Sequence, residues 1–366
     1  MVKYNITANK GDWSEFYAFL KILELRKLSA ADKNLNAIEG KFFVFQKIIR
    51  EEKDEPVKIY DISQSDTQVI ITDENGVILK IFRCEDLNAK TLKIFERIRN
   101  GKSAAFQILE AENIMRELLC TKVKASNQEK ADIVAIIYDR ISETMPMLGF
   151  SVKSMVGGAS TLFNAGKTTN FVFSVSNLGH DNIDEINSIS GKSKIKDRVA
   201  AVIKKGGVFE FQKVVKNELE TNLRKIDTIF SEFVAKMLFD YFSGKANKVS
   251  DLVNLLSEDE KLNERYKLSA QDYEFKMKNF LVAVALGMVP SIEWDGFIKA
   301  HGGYIVVKEN GDIVCYHLYN RDEFLSYLYE NTKFESAGSK KHGYGKLYEK
   351  DGQLLFNLNL QIRFIK

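Results

Sequence analysis

The sequence predicts an α/β protein, with α+β as the alternative, in which helices flank a mixed central β-sheet. Three observations carry this. An amphipathic helix pattern opens the chain, a run of strand patterns fills residues 41–82, and strand patterns recur at 131–175 and again after residue 302 with helical stretches between them.

NKGDWSEFYAFLKILEL (9–25) spaces Trp13, Phe16, Tyr17, Leu20 and Leu23 by three and four residues, which makes one apolar helix face. KFFVFQKIIR, VKIYDI and VIITDENGVILKIF follow as strands, the last turning at Glu74-Asn75-Gly76. Helices are expected at about 88–99 and 103–119. ADIVAIIYD (131–139), GFSVKSMV (149–156) and TTNFVFSV (168–175) read as neighbouring strands, with a hydroxyl-rich loop, GGASTLFNAGK, before the third. Residues 208–286 read as largely helical with a break at SGKANK (243–248). GGYIVV, DIVCYHLY, KLYEK and LLFNLNLQIRF close the chain as strands around a helix at 321–330. The expected division is a helix plus strand-rich region over 1–100 and a core over 101–366, with 208–286 as a helical insertion.

Composition excludes several classes. Only Pro56, Pro146 and Pro290 occur in 366 residues, against long disordered linkers. Cys84, Cys120 and Cys315 match neither a zinc spacing nor a disulfide framework. His180, His301, His317 and His342 are scattered, and His317 in CYHLY reads as a strand residue rather than a catalytic base. The start, MVKYNITANKGDW, has no apolar secretory core, which points to a cytoplasmic protein. Net charge is only +3, yet GKSKIKDRVAAVIKKGG (191–207) and SKKHGYGKLYEK (339–350) are distinctly basic. Such runs bind phosphate only if the fold gathers them at one groove.

The chemistry-bearing pattern is an acid at the mouth of one strand, Asp132, and Ser151-x-Lys153 on the next. Alternate strand residues share a face, and adjacent strands lie about 4.8 Å apart, so the three can meet. Phosphodiester hydrolysis uses such a set: a carboxylate for a hard cation, and an ammonium for the charge that develops on phosphorus. Alone the pattern is weak, and a lysine that snorkels from a strand edge would look the same. A phosphate-binding loop at NAGKTTN (164–170) is rejected. Thr161 stands where that loop needs glycine, and a strand follows where it needs a helix.

The wider chain resembles the PD-(D/E)XK nuclease superfamily and, within it, the HpaII family of type II restriction endonucleases. The segments that carry the resemblance are NKGDWSE (9–15), GFSVKS (149–154), TLFNAGKTTNF (161–171), EWDGF (293–297), HGGYIVVK (301–308), CYHLYNRDEF (315–324), NTKFES (331–336), KKHGYG (340–345) and LNLQIRF (358–364). The resemblance implies Mg²⁺-dependent cleavage of both strands of duplex DNA at CCGG, by in-line attack of an activated water that leaves 5′-phosphate ends. It implies Asp132 as the principal metal carboxylate and Lys153 as the catalytic ammonium. Ser151 departs from the superfamily's usual acid and leaves the second ligand open. A helix glutamate would complete the site, Glu15 first and Glu112 second. Loss of cleavage, leaving a sequence-specific DNA-binding protein, is the alternative.

A palindrome implies a two-fold arrangement, either a homodimer on the DNA or monomers cutting in sequence, with the homodimer expected. A cytosine methyltransferase in the same restriction system is the expected companion. Guanine edges suit Lys or Arg, so Lys340, Lys341 and His342 lead as base readers, with Gln361 and Arg363 on a strand. Thr161, Asn164, Lys167 and Asn170 follow the catalytic strand and are the further DNA-contact candidates. Most such lysines contact phosphate rather than bases.

Overall fold

The helix that opens the chain begins where its cap allows. In a computed structural model describing residues 6–125, 131–139 and 143–366, β1 (Thr7–Ala8) leads into α1 (Lys10–Leu25). The Asn9 side chain accepts the Asp12 amide at 3.0 Å, satisfying an N-terminal donor. Arg26, in the left-handed region, ends the helix with its N–H on the Ile22 carbonyl. The pattern predicts one apolar face, but burial extends further round: Ala18, Phe19 and Ile22 are as enclosed as Trp13 and Phe16.

Next come β2 (Lys27–Ala31), β3 (Ala37–Arg50), β4 (Lys58–Asp61), β5 (Gln68–Thr72) and β6 (Ile78–Arg83). The β5–β6 turn is the expected one: Gly76 has φ +81°, and Asp73 Oδ1 accepts the amides of Asn75 and Val77. Then follow α2 (Leu87–Asn100), β7 (Phe106–Gln107), α3 (Leu109–Glu117), β8 (Ile133–Tyr138) and β9 (Met147–Ser154). The helix expected from residue 103 starts only at Leu109, because Phe106 and Gln107 pair with β1 and Trp13 Nε1 donates to the Phe106 carbonyl.

A second unit begins with β10 (Thr161–Phe163), a 3₁₀ turn at Lys167–Thr169, and β11 (Asn170–Ser176). Then come α4 (Asn182–Ser188), α5 (Lys194–Lys204), β12 (Val208–Val214), α6 (Asn217–Ile226), α7 (Phe230–Phe242), α8 (Val249–Ser257), α9 (Glu260–Tyr266) and α10 (Ala270–Leu286). The region expected to be helical from 208 therefore opens with a strand. The chain returns through β13 (Gly303–Val307), β14 (Ile313–Tyr316) and α11 (Arg321–Glu330). It ends with β15 (Thr332–Phe334), α12 (Ser339–His342), β16 (Leu347–Lys350), β17 (Gln353–Asn359) and β18 (Ile362–Phe364).

The compact units do not follow a boundary at residue 100. The first comprises 1–160 with 298–327, the second 161–297 with 328–366. The first unit holds a nine-stranded mixed sheet in the order β2-β14-β13-β9-β8-β3-β4-β5-β6. Strand β2 also pairs with β3, so six of these strands form a closed circuit. One sheet face, with Phe45, Ile48, Ile133, Phe150, Val152 and Ile305, packs in a single cluster with α1, α2 and α3. Each large side chain buried there contributes about 1.5–3 kcal/mol. Tyr304 and Tyr316, on the other face, pack against Phe324 and Tyr327 of α11.

In the second unit β12-β11-β17-β16 form one antiparallel sheet and β10-β18-β15 another. Strand β11, expected beside β9, lies in this separate sheet, and the expected loop 157–170 contains β10. Among the described residues no helix is long and apolar enough to cross a membrane.

Candidate active site at the ends of two adjoining strands

Strands β8 and β9 run antiparallel with Ile133 opposite Phe150. One residue beyond, Asp132 lies across from Ser151. The Asp132 backbone N–H donates to the Phe150 carbonyl at 2.9 Å. Its Oδ2 accepts the Val152 amide at 2.7 Å and the Ser151 hydroxyl at 3.3 Å. The backbone thus fixes one carboxylate oxygen. Oδ1 faces Lys124 Nζ at 3.6 Å.

Helix α1 supplies the second carboxylate. Glu15 Oε1 accepts Lys124 Nζ at 3.2 Å, so a single ammonium bridges Glu15 and Asp132. The other oxygen, Oε2, is buried without a hydrogen-bond partner among the described residues. The crevice around this pair has Phe19, Ile48, Val123 and Ile133 for walls. Burial in that apolar lining, with the Asp132 charge adding to it, pushes the Glu15 carboxyl up to about 7 against the pull of Lys124. Ser14, next in the helix, donates to Ser154 Oγ at 2.9 Å and ties α1 to β9.

Lys153 lies two residues beyond Ser151 on β9. Phe150 and Val152 belong to the cluster with α1, so alternation sends Ser151 and Lys153 to the other sheet face. Lys153 is half-buried and makes no hydrogen bond or ion pair among the described residues. It shares a face with Ser151, but Lys124 is the cation that meets the carboxylates. Glu112 lies apart from this group, with Oε1 accepting the Ile6 amide at 3.0 Å and Gln107 Nε2 at 2.6 Å. It ties down the chain before α1 instead.

Sequence reading missed Lys124, which lies in TKVKASNQEK, a polar stretch without periodicity. It also missed the pair that positions it. Arg50, buried on β3, donates to the Lys122 and Val123 carbonyls at 2.5 and 2.9 Å and to Glu52 Oε1 at 2.7 Å. Glu52 Oε2 accepts the Thr121 amide and hydroxyl. The only trace of this in the sequence is a charged residue ending an apolar strand.

Among the described residues no three His, Cys, Asp or Glu side chains converge as a ready metal site. Glu15 and Asp132 nonetheless offer hard oxygens, and the orphaned Glu15 Oε2 fits a cation that retains waters. His317 Nδ1 accepts the Tyr319 amide at 3.3 Å, and its ring stacks on Phe43. Burial lowers its pKa, in keeping with a structural imidazole.

The DNA-contact candidates all fall in the second unit. Asn170 is buried; its Nδ2 donates to the His342 carbonyl at 2.9 Å and its Oδ1 accepts Asn359 Nδ2 at 2.6 Å. It therefore anchors the one-turn helix that carries Lys340, Lys341 and His342. Thr161 pairs with Arg363 between β10 and β18, and Arg363 is held by Glu335 at 2.7 Å. Gln361 gives its carbonyl to the Glu335 amide and is half-buried. Asn164, Lys167, Lys340 and Lys341 are exposed.

The segment order matches a known family along nearly the whole chain. A family model described as HpaII restriction endonuclease matches residues 9–364. The Type II restriction enzyme HpaII of Haemophilus parainfluenzae is 36% identical over 360 residues, covering 98% of this chain and 99% of that protein. The chain belongs to the HpaII restriction endonuclease family. As an HpaII-family member it is a homologue of a type II restriction enzyme, a class of site-specific deoxyribonucleases. No solved structure matches the chain. For the HpaII-family sequence, the site above therefore rests on its own geometry.

Proposed function

We propose that the chain hydrolyses both strands of duplex DNA at CCGG in a Mg²⁺-dependent reaction, with a PD-(D/E)XK core formed around β8 and β9. The observation that carries this is the pair of carboxylates, Glu15 and Asp132, bridged by Lys124 at the strand ends. Family membership supplies the substrate class, DNA, and CCGG is the site that the sequence resemblance to this family implies.

Asp132 and Glu15 are the residues that would hold the cation, and Ser151 would assist through a water. A divalent cation bound there supplies positive charge to the scissile phosphate and acidifies a water. The chain's own contribution is orientation and charge. The Val152 amide fixes Asp132 so that no carboxylate rotation is needed during reaction. The apolar crevice keeps Glu15 in low dielectric, where its charge acts strongly. Lys153 is the ammonium that offsets charge on the phosphate, and among the described residues no carboxylate binds it. A two-fold homodimer suits a palindrome, and a companion cytosine methyltransferase protects host sites.

Ser151 favours a second reading, DNA binding without cleavage, since a hydroxyl carries no charge to hold a cation. Asp132→Asn and Lys153→Ala separate the two. Each is expected to lower cleavage by about 10²-fold or more while gel-shift affinity for the same duplex is kept. Full cleavage by either variant refutes this site.

A further inference from the structure

We propose that a groove in the second unit, lined by Lys194, Lys340 and Lys346, is a track for the phosphates of the DNA backbone. This rests on the reading that the chain acts on DNA, and it adds where and how the duplex is held.

The two basic runs of the sequence lie far apart along the chain, at 191–207 and 339–350. The fold brings them to one groove of about 870 Å³. Gly191, Lys194 and Arg198 come from the first run, and Ser339, Lys340 and Lys346 from the second; among the described residues no Asp or Glu lines it. Two polar residues join the runs. Arg198, 6% exposed, donates to the carbonyls of Gly345, Asn187 and Ile189 at 2.5–2.8 Å. Asn187 exchanges two hydrogen bonds with the Leu347 backbone, at 2.7 and 3.0 Å. The groove is therefore a built feature and not a chance approach of two loops.

Its charge is uncompensated. Lys194, Lys340 and Lys346 make no hydrogen bond or ion pair among the described residues. Elsewhere in the same unit Lys236, Lys245, Lys248 and Lys276 each hold a carboxylate. Arg198 Nε is also buried at the groove without a partner among the described residues. Three free ammonium groups along an open groove suit a polyanion, because each can neutralise one phosphate and release its counterions. Such contacts hold the duplex in register and carry no sequence information, so Lys340 belongs here rather than among the base readers.

The test is duplex binding by fluorescence anisotropy, without divalent cation, for a CCGG duplex and a scrambled one. The triple variant K194A/K340A/K346A is compared with the wild-type chain and with the control K216A/K261A/K267A, which removes the same charge at exposed positions outside the groove. The groove variant is expected to lose affinity roughly 10-fold or more for both duplexes alike. Its log–log salt dependence should become shallower by roughly 2 to 3, and the control should keep both values. An unchanged slope, a loss confined to the CCGG duplex, or an equal loss in the control overturns the proposal. So does displacement of DNA by micromolar inorganic phosphate at constant ionic strength, which marks a small-anion site. Wild-type protein that binds neither duplex refutes the reading of DNA as substrate; binding that ignores the triple variant refutes the groove alone.

Discussion

A carboxylate buried beside another carboxylate gives up its proton late, and Glu15 does so at about 7. The sign follows from linkage. Because its folded pKa lies above the usual carboxylate range, Glu15 costs nothing at acid pH. Stability then falls as pH climbs from that range through 7. Glu15→Gln should therefore raise the melting temperature of the cation-free protein at pH 8 and leave it nearly unchanged at pH 4.5; equal shifts at both would remove the buried charge from the account. Cation affinity, measured by calorimetry, should rise between pH 6 and 7 and level off above. Lys124 competes for the same two carboxylates. Lys124→Met is expected to lower the half-saturating Mg²⁺ concentration several-fold at pH 8, and a higher requirement would make the lysine a helper rather than a competitor. Glu15 was legible in the sequence as an acid heading an apolar helix. Lys124 was not, because nothing local distinguishes it from other lysines in a polar stretch.

Elements were legible where their signals are local. Strand patterns located β3, β8, β9 and β13, and apolar spacing located α1. What failed depends on distant partners. Strand β7 exists because β1 pairs with it, β10 because β18 does, and β11 leaves the main sheet for β12 and β17. The segment before β8 is likewise held from afar, by Arg50 and Glu52 at the end of β3 and just beyond it, with side chains 6% and 1% exposed. Breaking that pair strands a buried charge. Arg50→Ala is expected to cost about 3–5 kcal/mol in urea unfolding and to weaken the Lys124 bridge. Arg50→Met with Glu52→Leu should recover much of the stability without restoring the segment's anchor. A single variant as stable as wild type would mean the pair is solvated.

At the scale of the molecule the chain builds its first unit from two separated stretches, 1–160 and 298–327, around the insertion that begins the second. A boundary at residue 100, read from the run of element patterns, had no means of detecting that return, since β13 and β14 resemble any buried strands until they pair with β9 and β2. Net charge of +3 likewise conceals how the basic runs are gathered. The whole molecule stands or falls on whether this HpaII-family chain cuts duplex DNA at one palindrome. Incubation of the purified protein with plasmid and Mg²⁺, followed by sequencing of every end produced, decides it. All ends are expected to carry a 5′-phosphate and to fall within CCGG. Random nicking, ends at unrelated sequences, or intact plasmid would rule that activity out.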